Sequence, residues 1–228
     1  MSKKKNEVQE SSVEVLESAL TKSEQFIENN QKPLIIGVAA VVLAVGIFIG
    51  YKRLYVAPME KEAQSQSFAA EQYFESGQFE LALNGDGNYL GFLDIVSSFG
   101  PTKTANLAKY YIGISYRELG DFSTALDYLK RFKTSDRMVG SVAHGAKGDC
   151  YVELGNLEKG VKQYVKAAKF GRNDFTSPIY LMKAGLVYEE LGDMKAALEV
   201  YNEIKSKYPR SAEAREIEKY ITRASLLK

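Results

Sequence analysis

The sequence predicts an all-α protein in which one membrane-spanning helix is followed by a stack of helical hairpins. Two observations support this prediction: an uncharged apolar run at residues 34–50, and a glycine and tyrosine pattern that occurs three times between residues 113 and 198. The 228 residues allow a short N-terminal segment, one anchor and one domain of ordinary size.

The apolar run has the length and composition of a membrane span. It reads LIIGVAAVVLAVGIFIG, lies between Pro33 and Tyr51, and has Lys32 and Lys52 just outside it. Its 17 residues reach roughly 26 Å at about 1.5 Å per residue, close to a bilayer core of about 30 Å. We predict a transmembrane helix at residues 33–51 that acts as an uncleaved signal anchor; the alternative is a helix buried in a soluble core.

The residues before the anchor (1–32) predict an amphipathic tail. Between residues 8 and 27, apolar side chains recur at helical spacing and glutamates fill most of the other face. An acidic face suits a protein contact better than anionic lipid, and the alternative is a solvated helix that leads to the anchor. Basic residues flank the span on both sides, so charge alone does not set its orientation.

Two glycines in the span, Gly46 and Gly50, form a small-xxx-small pair. Such pairs let a second membrane helix approach closely, so they are candidate residues for helix packing. A chance match in a run rich in glycine and alanine is the alternative. Residues 52–62 are assigned to a juxtamembrane helix or linker.

The repeated pattern reads GISYRELGDFSTAL from Gly113, GDCYVELGNLEKGV from Gly148 and GLVYEELGDMKAAL from Gly185. In each copy a tyrosine lies three residues after the first glycine. A second glycine lies four residues after that tyrosine, and a small residue lies five residues after the second glycine. The first glycine and the small residue suit a close crossing of two antiparallel helices, and the second glycine suits a left-handed helix cap. Each copy therefore predicts one helical hairpin.

The copies begin 35 and 37 residues apart, and Pro209 follows the last one. This pattern resembles the tetratricopeptide repeat (TPR), a helical hairpin of 34 residues with a terminal proline. A fourth copy, which keeps only part of the pattern and is called the worn copy below, is visible at Tyr73, Gly77 and Ala82. We therefore expect about four hairpins. Residues 212–227 predict a capping helix whose charged side chains face water. The TPR domain is assigned to residues 63–228.

Four features resemble the YfgM-like ancillary subunits of the bacterial SecYEG translocon: the short tail, the FIENNQKPLIIG entry into the anchor, its GxxxG-like exit and the worn first repeat. The resemblance implies a single-pass inner-membrane protein with a cytoplasmic tail and a periplasmic TPR domain. It also implies two partners, the SecYEG translocon and a membrane-anchored periplasmic prolyl-isomerase chaperone. The alternative function is an envelope scaffold that coordinates cell-wall or division machinery.

TPR stacks expose the first helix of each hairpin on a concave wall, which implies a surface for protein or peptide clients. Eight residues occupy the outward positions there. The alternative for each of them is that it packs against a neighbouring hairpin. These candidate partner-binding residues are Tyr110, Ile114, Arg117, Asp149, Val152, Met182, Leu186 and Glu189.

The composition argues against several other functions. With 30 basic and 29 acidic residues, the net charge of +1 does not favour nucleic acid as a partner. One histidine, His144, and one cysteine, Cys150, leave little for a metal site, and no nucleophile arrangement is completed around them. The glycine-rich segment 84–88 fits neither a phosphate loop nor a calcium loop and predicts a tight turn. We therefore predict a protein that is not an enzyme and needs no cofactor.

Overall fold

The computed structural model of this protein describes residues 26–227, and every regular element in that range is helical. The chain divides into two compact units, Met1–Ala57 and Pro58–Lys228. The amphipathic helix predicted for residues 8–27 lies almost wholly outside the described residues.

The first unit contains α1, which spans Gln31–Gly50 and has no buried residue. Its apolar side chains are open on all faces; Val38 and Val42, for example, are 63% and 65% exposed. The most apolar window of this helix has a mean hydropathy of 2.7. Among the described residues, this is the one helix that is long and apolar enough to cross a membrane.

A π-helical turn at Tyr51–Val56 follows α1. The ring of Tyr51 stacks on that of Tyr55 at 5.5 Å, and the N–H of Ala57 donates to the carbonyl of Lys52. Proline has no N–H to donate within a helix, so the wider turn occurs where Pro58 interrupts the regular bonding.

The second unit is a succession of helical hairpins. Its helices are α2 Ala57–Glu75, α3 Phe79–Asn84, α4 Phe92–Ser98, α5 Lys103–Glu118, α6 Phe122–Arg131, α7 Arg137–Glu153, α8 Leu157–Gly171, α9 Thr176–Glu190, α10 Met194–Lys207 and α11 Ile217–Leu226. The pairs α5/α6, α7/α8 and α9/α10 are the three predicted hairpins, and α2/α3 is the worn one. From α5 onward, each helix packs mainly on its neighbours in sequence, as in a solenoid.

The glycine that opens each copy of the pattern lies at a helix crossing, as predicted. A β-carbon on Gly113 would lie 2.5 Å from Cγ of Leu129, and one on Gly148 would lie 2.5 Å from Cδ1 of Tyr164. Both partners belong to the second helix of the same hairpin, and the third copy repeats the arrangement. The missing side chain therefore makes room for a large residue from the facing helix.

The second glycine of each copy ends the first helix in a left-handed turn, as predicted. At the first hairpin the N–H of Gly120 donates to the carbonyl of Arg117 at 3.1 Å, and that of Asp121 donates to Tyr116 at 2.9 Å. This is a Schellman cap. The Asp121 side chain then accepts from the N–H of Thr124 at 3.0 Å and so caps the next helix. The three glycines have positive φ: Gly120 84°, Gly155 73° and Gly192 75°.

The segment 84–88 forms the predicted tight turn. Oδ1 of Asp86 accepts from the backbone N–H of Asn88 at 2.9 Å and of Tyr89 at 2.8 Å. The phenol of Tyr73 donates to Oδ2 of the same carboxylate at 2.9 Å. These three bonds lower the pKa of Asp86 and hold the turn against the worn hairpin.

The insertion after this turn folds into α4, a helix that the sequence did not predict. Phe92 and Ile95 of α4 are fully buried. The Phe92 ring stacks on Tyr111 of α5 at 4.8 Å, and Phe74 of α2 meets Tyr111 edge-on at the same distance. The insertion thus supplies the core that the short helix α3 cannot fill alone.

The C-terminal segment forms the predicted capping helix, α11, after a 3-10 turn at Glu213–Glu216. Ile217 is 2% exposed and belongs to the core of the last hairpin. Arg223 departs from the expectation that the charged residues face water. Its Nη2 lies 2.7 Å from Oε2 of Glu189, and its guanidinium covers the ring of Tyr220.

Glu60 of α2 caps the start of α5, and its loss is expected to destabilise the domain. Its Oε2 accepts from the N–H of Lys103 at 2.6 Å, and Oε1 accepts from the hydroxyl of Thr104 at 2.8 Å. A carboxylate at this position pairs donors that the helix leaves free and complements its dipole. We expect Glu60→Gln to lower the free energy of unfolding by about 1 kcal/mol in urea denaturation. The exposed Glu62→Gln serves as the control, and equal losses for both variants would contradict this role.

Candidate partner-binding groove

An open groove of about 380 Å³ lies among the five consecutive helices α5 to α9. Three of its residues, Arg117, Asp149 and Val152, are among those predicted to bind a partner. The groove is lined by Arg117, Glu118, Phe122, Asp149, Val152, Glu153, Tyr164 and Lys183.

Asp149 is the centre of the charge network in this groove. Its Oδ2 accepts from Nη1 of Arg117 at 3.0 Å, while its Oδ1 accepts from Nζ of Lys183 at 2.7 Å. The Tyr164 hydroxyl also donates to Oδ1, at 2.7 Å. One half-buried carboxylate therefore joins four helices from three consecutive hairpins.

Tyr164 is held as a hydrogen-bond donor. Its side chain is 4% exposed. Burial, followed by the charge of Asp149 and the hydrogen bond to it, raises the pKa of the phenol well above its usual value. The phenol stays protonated, so the carboxylate keeps all three donors at neutral pH.

The rest of the groove combines apolar and acidic groups. Phe122 and Val152 supply apolar surface, and Glu153 places an exposed carboxylate at the edge. Nε of Arg117 also donates to Oε1 of Glu118 at 3.1 Å. Apolar surface beside fixed charges suits a protein segment, whose apolar side chains and polar groups are both satisfied there.

Four other predicted residues lie outside the lining of this groove. Tyr110 is half-buried and its ring lies 5.4 Å from Phe132, and Ile114 is only 7% exposed in the core between hairpins. Met182 packs on the core of the last hairpin, whereas Leu186 is 42% exposed. A role for these residues in partner binding stays a prediction.

Glu189, the last predicted residue, is engaged within the chain. Its Oε1 accepts from the Tyr201 hydroxyl at 2.8 Å and its Oε2 pairs with Arg223 at 2.7 Å. Burial, followed by the hydrogen bond to Glu189 and then the charge of Glu189, raises the pKa of Tyr201. This carboxylate therefore joins the capping helix to the last hairpin, and its role in partner binding also stays a prediction.

Sequence reasoning missed Lys183 and Tyr164. A signal for Lys183 was present: Arg117, Asp149 and Lys183 follow one another at 32 and 34 residues, about one repeat. Charges one repeat apart lie at equivalent positions on the first helices of successive hairpins. Opposite charges at such positions can form ion pairs. Tyr164 lies on a second helix, and its contact with Asp149 depends on how closely Gly148 lets the two helices approach.

His144 and Cys150 lie in separate surroundings. Nδ1 of His144 is 3.0 Å from Oε1 of Gln163, and its ring lies 5.5 Å from that of Phe170. Cys150 is fully buried with Ile114 and Ala125 in the core between the hairpins. The described residues hold no group of three histidine, cysteine, aspartate or glutamate side chains placed to bind a metal.

The Cys150 thiol is expected to be unreactive in the folded protein. Burial raises its pKa to about 11, so the thiolate is scarce at neutral pH, and the side chain has no exposed surface. Iodoacetamide should modify it only as the domain unfolds, and the labelled fraction in a urea titration should follow the circular dichroism signal. Rapid labelling without urea would show that this part of the stack opens on its own.

The glycine pair of the apolar helix lies on an open surface. A β-carbon on Gly46 or Gly50 would have no atom within 4 Å. Packing of a second helix at these positions stays a prediction.

A solenoid of helical hairpins with a mixed apolar and charged groove defines a protein-interaction module. The tetratricopeptide-repeat family matches residues 107–136, 142–170 and 180–211, so this part of the chain consists of tetratricopeptide repeats. The tetratricopeptide fold is typically a non-enzymatic interaction scaffold, and TPR domains bind protein partners.

Known proteins show the same relationship. A TPR repeat-containing protein of Methanocaldococcus jannaschii is 30% identical over 100 residues, 44% of this chain, and the match spans only 17% of that relative's length. The crystal structure of MamA has a TM-score of 0.52 at 17% identity, over 72% of this chain and 91% of that one. A putative kinesin light chain of Podosopora anserina with TPR-like repeats has a TM-score of 0.56 at 14% identity, over 74% and 87%. At such identities, these two structures show the shared fold alone.

Proposed function

We propose that this protein is a membrane-anchored TPR module that works as an accessory subunit of the SecYEG translocon. The membrane anchor is proposed because α1 is a 20-residue apolar helix without a buried residue. A helix of that length reaches about 30 Å, the thickness of a bilayer core. Inserting it in lipid removes its exposed apolar side chains from water.

The place beside the translocon rests on the resemblance to the YfgM-like subunits. In this proposal the tail is cytoplasmic, α1 crosses the inner membrane once, and the hairpins lie in the periplasm near the channel exit. There the groove around Asp149 would recruit a membrane-anchored prolyl-isomerase chaperone or contact an emerging polypeptide. Its apolar wall and fixed charges suit such a protein segment.

The anchor is tested by a charge placed in α1. An arginine at the centre of a membrane helix costs about 3 kcal/mol on insertion scales. We expect the wild-type protein to stay in the membrane fraction after alkaline carbonate extraction, and Leu43→Arg to be released in large part. Leu43→Phe is the apolar control. Complete release of the wild-type protein would refute the anchor.

The translocon role is tested by purifying the tagged full-length protein from native membranes in mild detergent and identifying its companions by mass spectrometry. A chain of residues 1–57 is the control for contacts made by the anchor alone. SecYEG subunits retained by the full chain would support the proposal. Wall or division proteins in their place would favour the envelope scaffold and refute the translocon role.

The groove is tested in the same purification with Val152→Asp, which adds a charge to its apolar wall. Retained translocon with loss of the chaperone or client would place partner binding in the groove. Lys195→Gln, on the exposed surface of α10, is the control. Unchanged companions for Val152→Asp, with the circular dichroism spectrum of the wild type, would exclude the groove as the binding surface.

A further inference from the structure

A second cavity, of about 540 Å³, lies among α8, α9 and α10 and shares no residue with the groove around Asp149. Its floor is apolar, because Ala168 and Leu181 are 4% and 3% exposed. Its rim carries three cations and one carboxylate, although the whole chain has a net charge of only +1. The lining residues are Ala168, Lys169, Arg172, Leu181, Glu203, Lys207 and Tyr208.

The cations at the rim are only partly neutralised. Nζ of Lys207 lies 2.8 Å from Oε1 of Glu203, which uses the one carboxylate in the lining. Nε of Arg172 donates to the backbone carbonyl of Lys169 at 3.2 Å. The terminal nitrogens of Arg172 make no hydrogen bond to another described residue, so these two guanidinium nitrogens are available to bind a ligand. The hydrogen bond to Glu203 raises the pKa of Lys207, and the charge of Arg172 acts in the opposite direction because both cations face one space.

The backbone at Arg172 is unusual. Its φ of 45° and ψ of 50° place it in the left-handed region, and it is the one non-glycine residue with positive φ in the described chain. Glycine or asparagine is usual at such a helix end. Arg137 holds the turn from outside, since its guanidinium donates to the carbonyls of Gly171 at 3.1 Å and Arg172 at 3.2 Å. A residue whose strained backbone conformation is held by hydrogen bonds from another part of the chain is typical of a functional position.

We propose that this cavity binds an acidic peptide segment of a partner protein, with one carboxylate on the cations and an adjacent aromatic or aliphatic side chain on the apolar floor. The planar fork of Arg172 matches a carboxylate, and charge-assisted bonds of this kind are the strong ones. The recessed floor of Ala168 and Leu181 favours a side chain over the flat surface of an anionic bilayer. This second site goes beyond the proposed function and does not depend on the translocon.

The test is fluorescence anisotropy with full-length protein in nonionic detergent. The probe is a labelled peptide with a central phenylalanine flanked by glutamates, and the control peptide has glutamines in their place. We expect the acidic peptide to bind and the neutral one not to bind. Arg172→Gly and Lys207→Gln should each weaken binding about tenfold, the effect of one charge-assisted contact. Glu203→Gln should tighten binding, because it frees Lys207.

The variants separate binding from folding. Glycine adopts a φ of 45° without strain, so Arg172→Gly should unfold at the same or a higher temperature than the wild type while it loses affinity. Lys195→Gln, a loss of one charge elsewhere on α10, should bind like the wild type. Equal binding of both peptides, or unchanged affinity in Arg172→Gly and Lys207→Gln, would overturn the proposal. A response to phosphatidylglycerol in the micelles that depends on Arg172, with no peptide bound, would also overturn it and assign the cavity to lipid.

Discussion

Replacement of Gly185 by valine is expected to lower the free energy of unfolding of the TPR domain by about 3 kcal/mol. A β-carbon at this position would lie 2.5 Å from Cζ of Tyr201 and closer still to Cε1. The Tyr201 ring has no exposed surface and its hydroxyl is bonded to Glu189, so it cannot move aside at low cost. The variant therefore combines overpacking with loss of a partly buried hydrogen bond.

Urea denaturation followed by circular dichroism, with the full-length protein in detergent, measures this effect. Gly185→Ala should cost about 2 kcal/mol, because the gain in helix propensity offsets only part of the clash. Gly100→Ala, in the turn after α4, is the control for an added methyl group without a clash, since its β-carbon would have one neighbour, the carbonyl oxygen of Val96 at 3.6 Å. A Gly185→Val protein as stable as the wild type would show that the hairpin tolerates a wider crossing.

Replacement of Asp149 by leucine is expected to cost about 2 kcal/mol. The change leaves Arg117 and Lys183 close together without their shared carboxylate and removes the acceptor of the Tyr164 hydroxyl. The estimate is lower than for a fully buried ion pair because the Asp149 side chain is 21% exposed and partly screened by water.

A double-mutant cycle isolates the central ion pair of the groove. Asp149→Leu and Lys183→Met, alone and together, should show a coupling of about 1 kcal/mol that shrinks at high salt. Asp127→Leu provides the control, since its pair with Lys130 is exposed and long at 3.9 Å. Strictly additive losses for Asp149 and Lys183 would contradict an energetic link between successive hairpins through this carboxylate.

The repeated pattern predicted the hairpins in detail because its signals are local. Gly120 and Asp121 act on residues within five positions in the chain, so their cap and turn are readable without the fold. The close crossing at Gly113 was also readable, since its partner Leu129 belongs to the same hairpin. In the worn copy only Tyr73, Gly77 and Ala82 of this pattern remain, yet the same hairpin forms.

The groove was predictable only in part. Arg117, Asp149 and Val152 were found from helical spacing, whereas the contact of Tyr164 with Asp149 depends on how closely α7 and α8 approach. For Glu189 the sequence did not reveal a contact within the chain. Its position in the repeat suggests an open surface, but the capping helix brings Arg223 to it.

By itself the sequence determined that this protein combines an apolar helix with a stack of TPR hairpins, because composition, periodicity and turn chemistry act over a few residues. Only the tertiary structure decided what fills the spaces between those elements. It placed Phe92 of the insertion in the core, joined Asp149 to three hairpins, and brought Arg172 and Lys207 to one cavity. Such contacts depend on the angle and offset between helices, which the packing of large side chains sets and which no short stretch of sequence encodes.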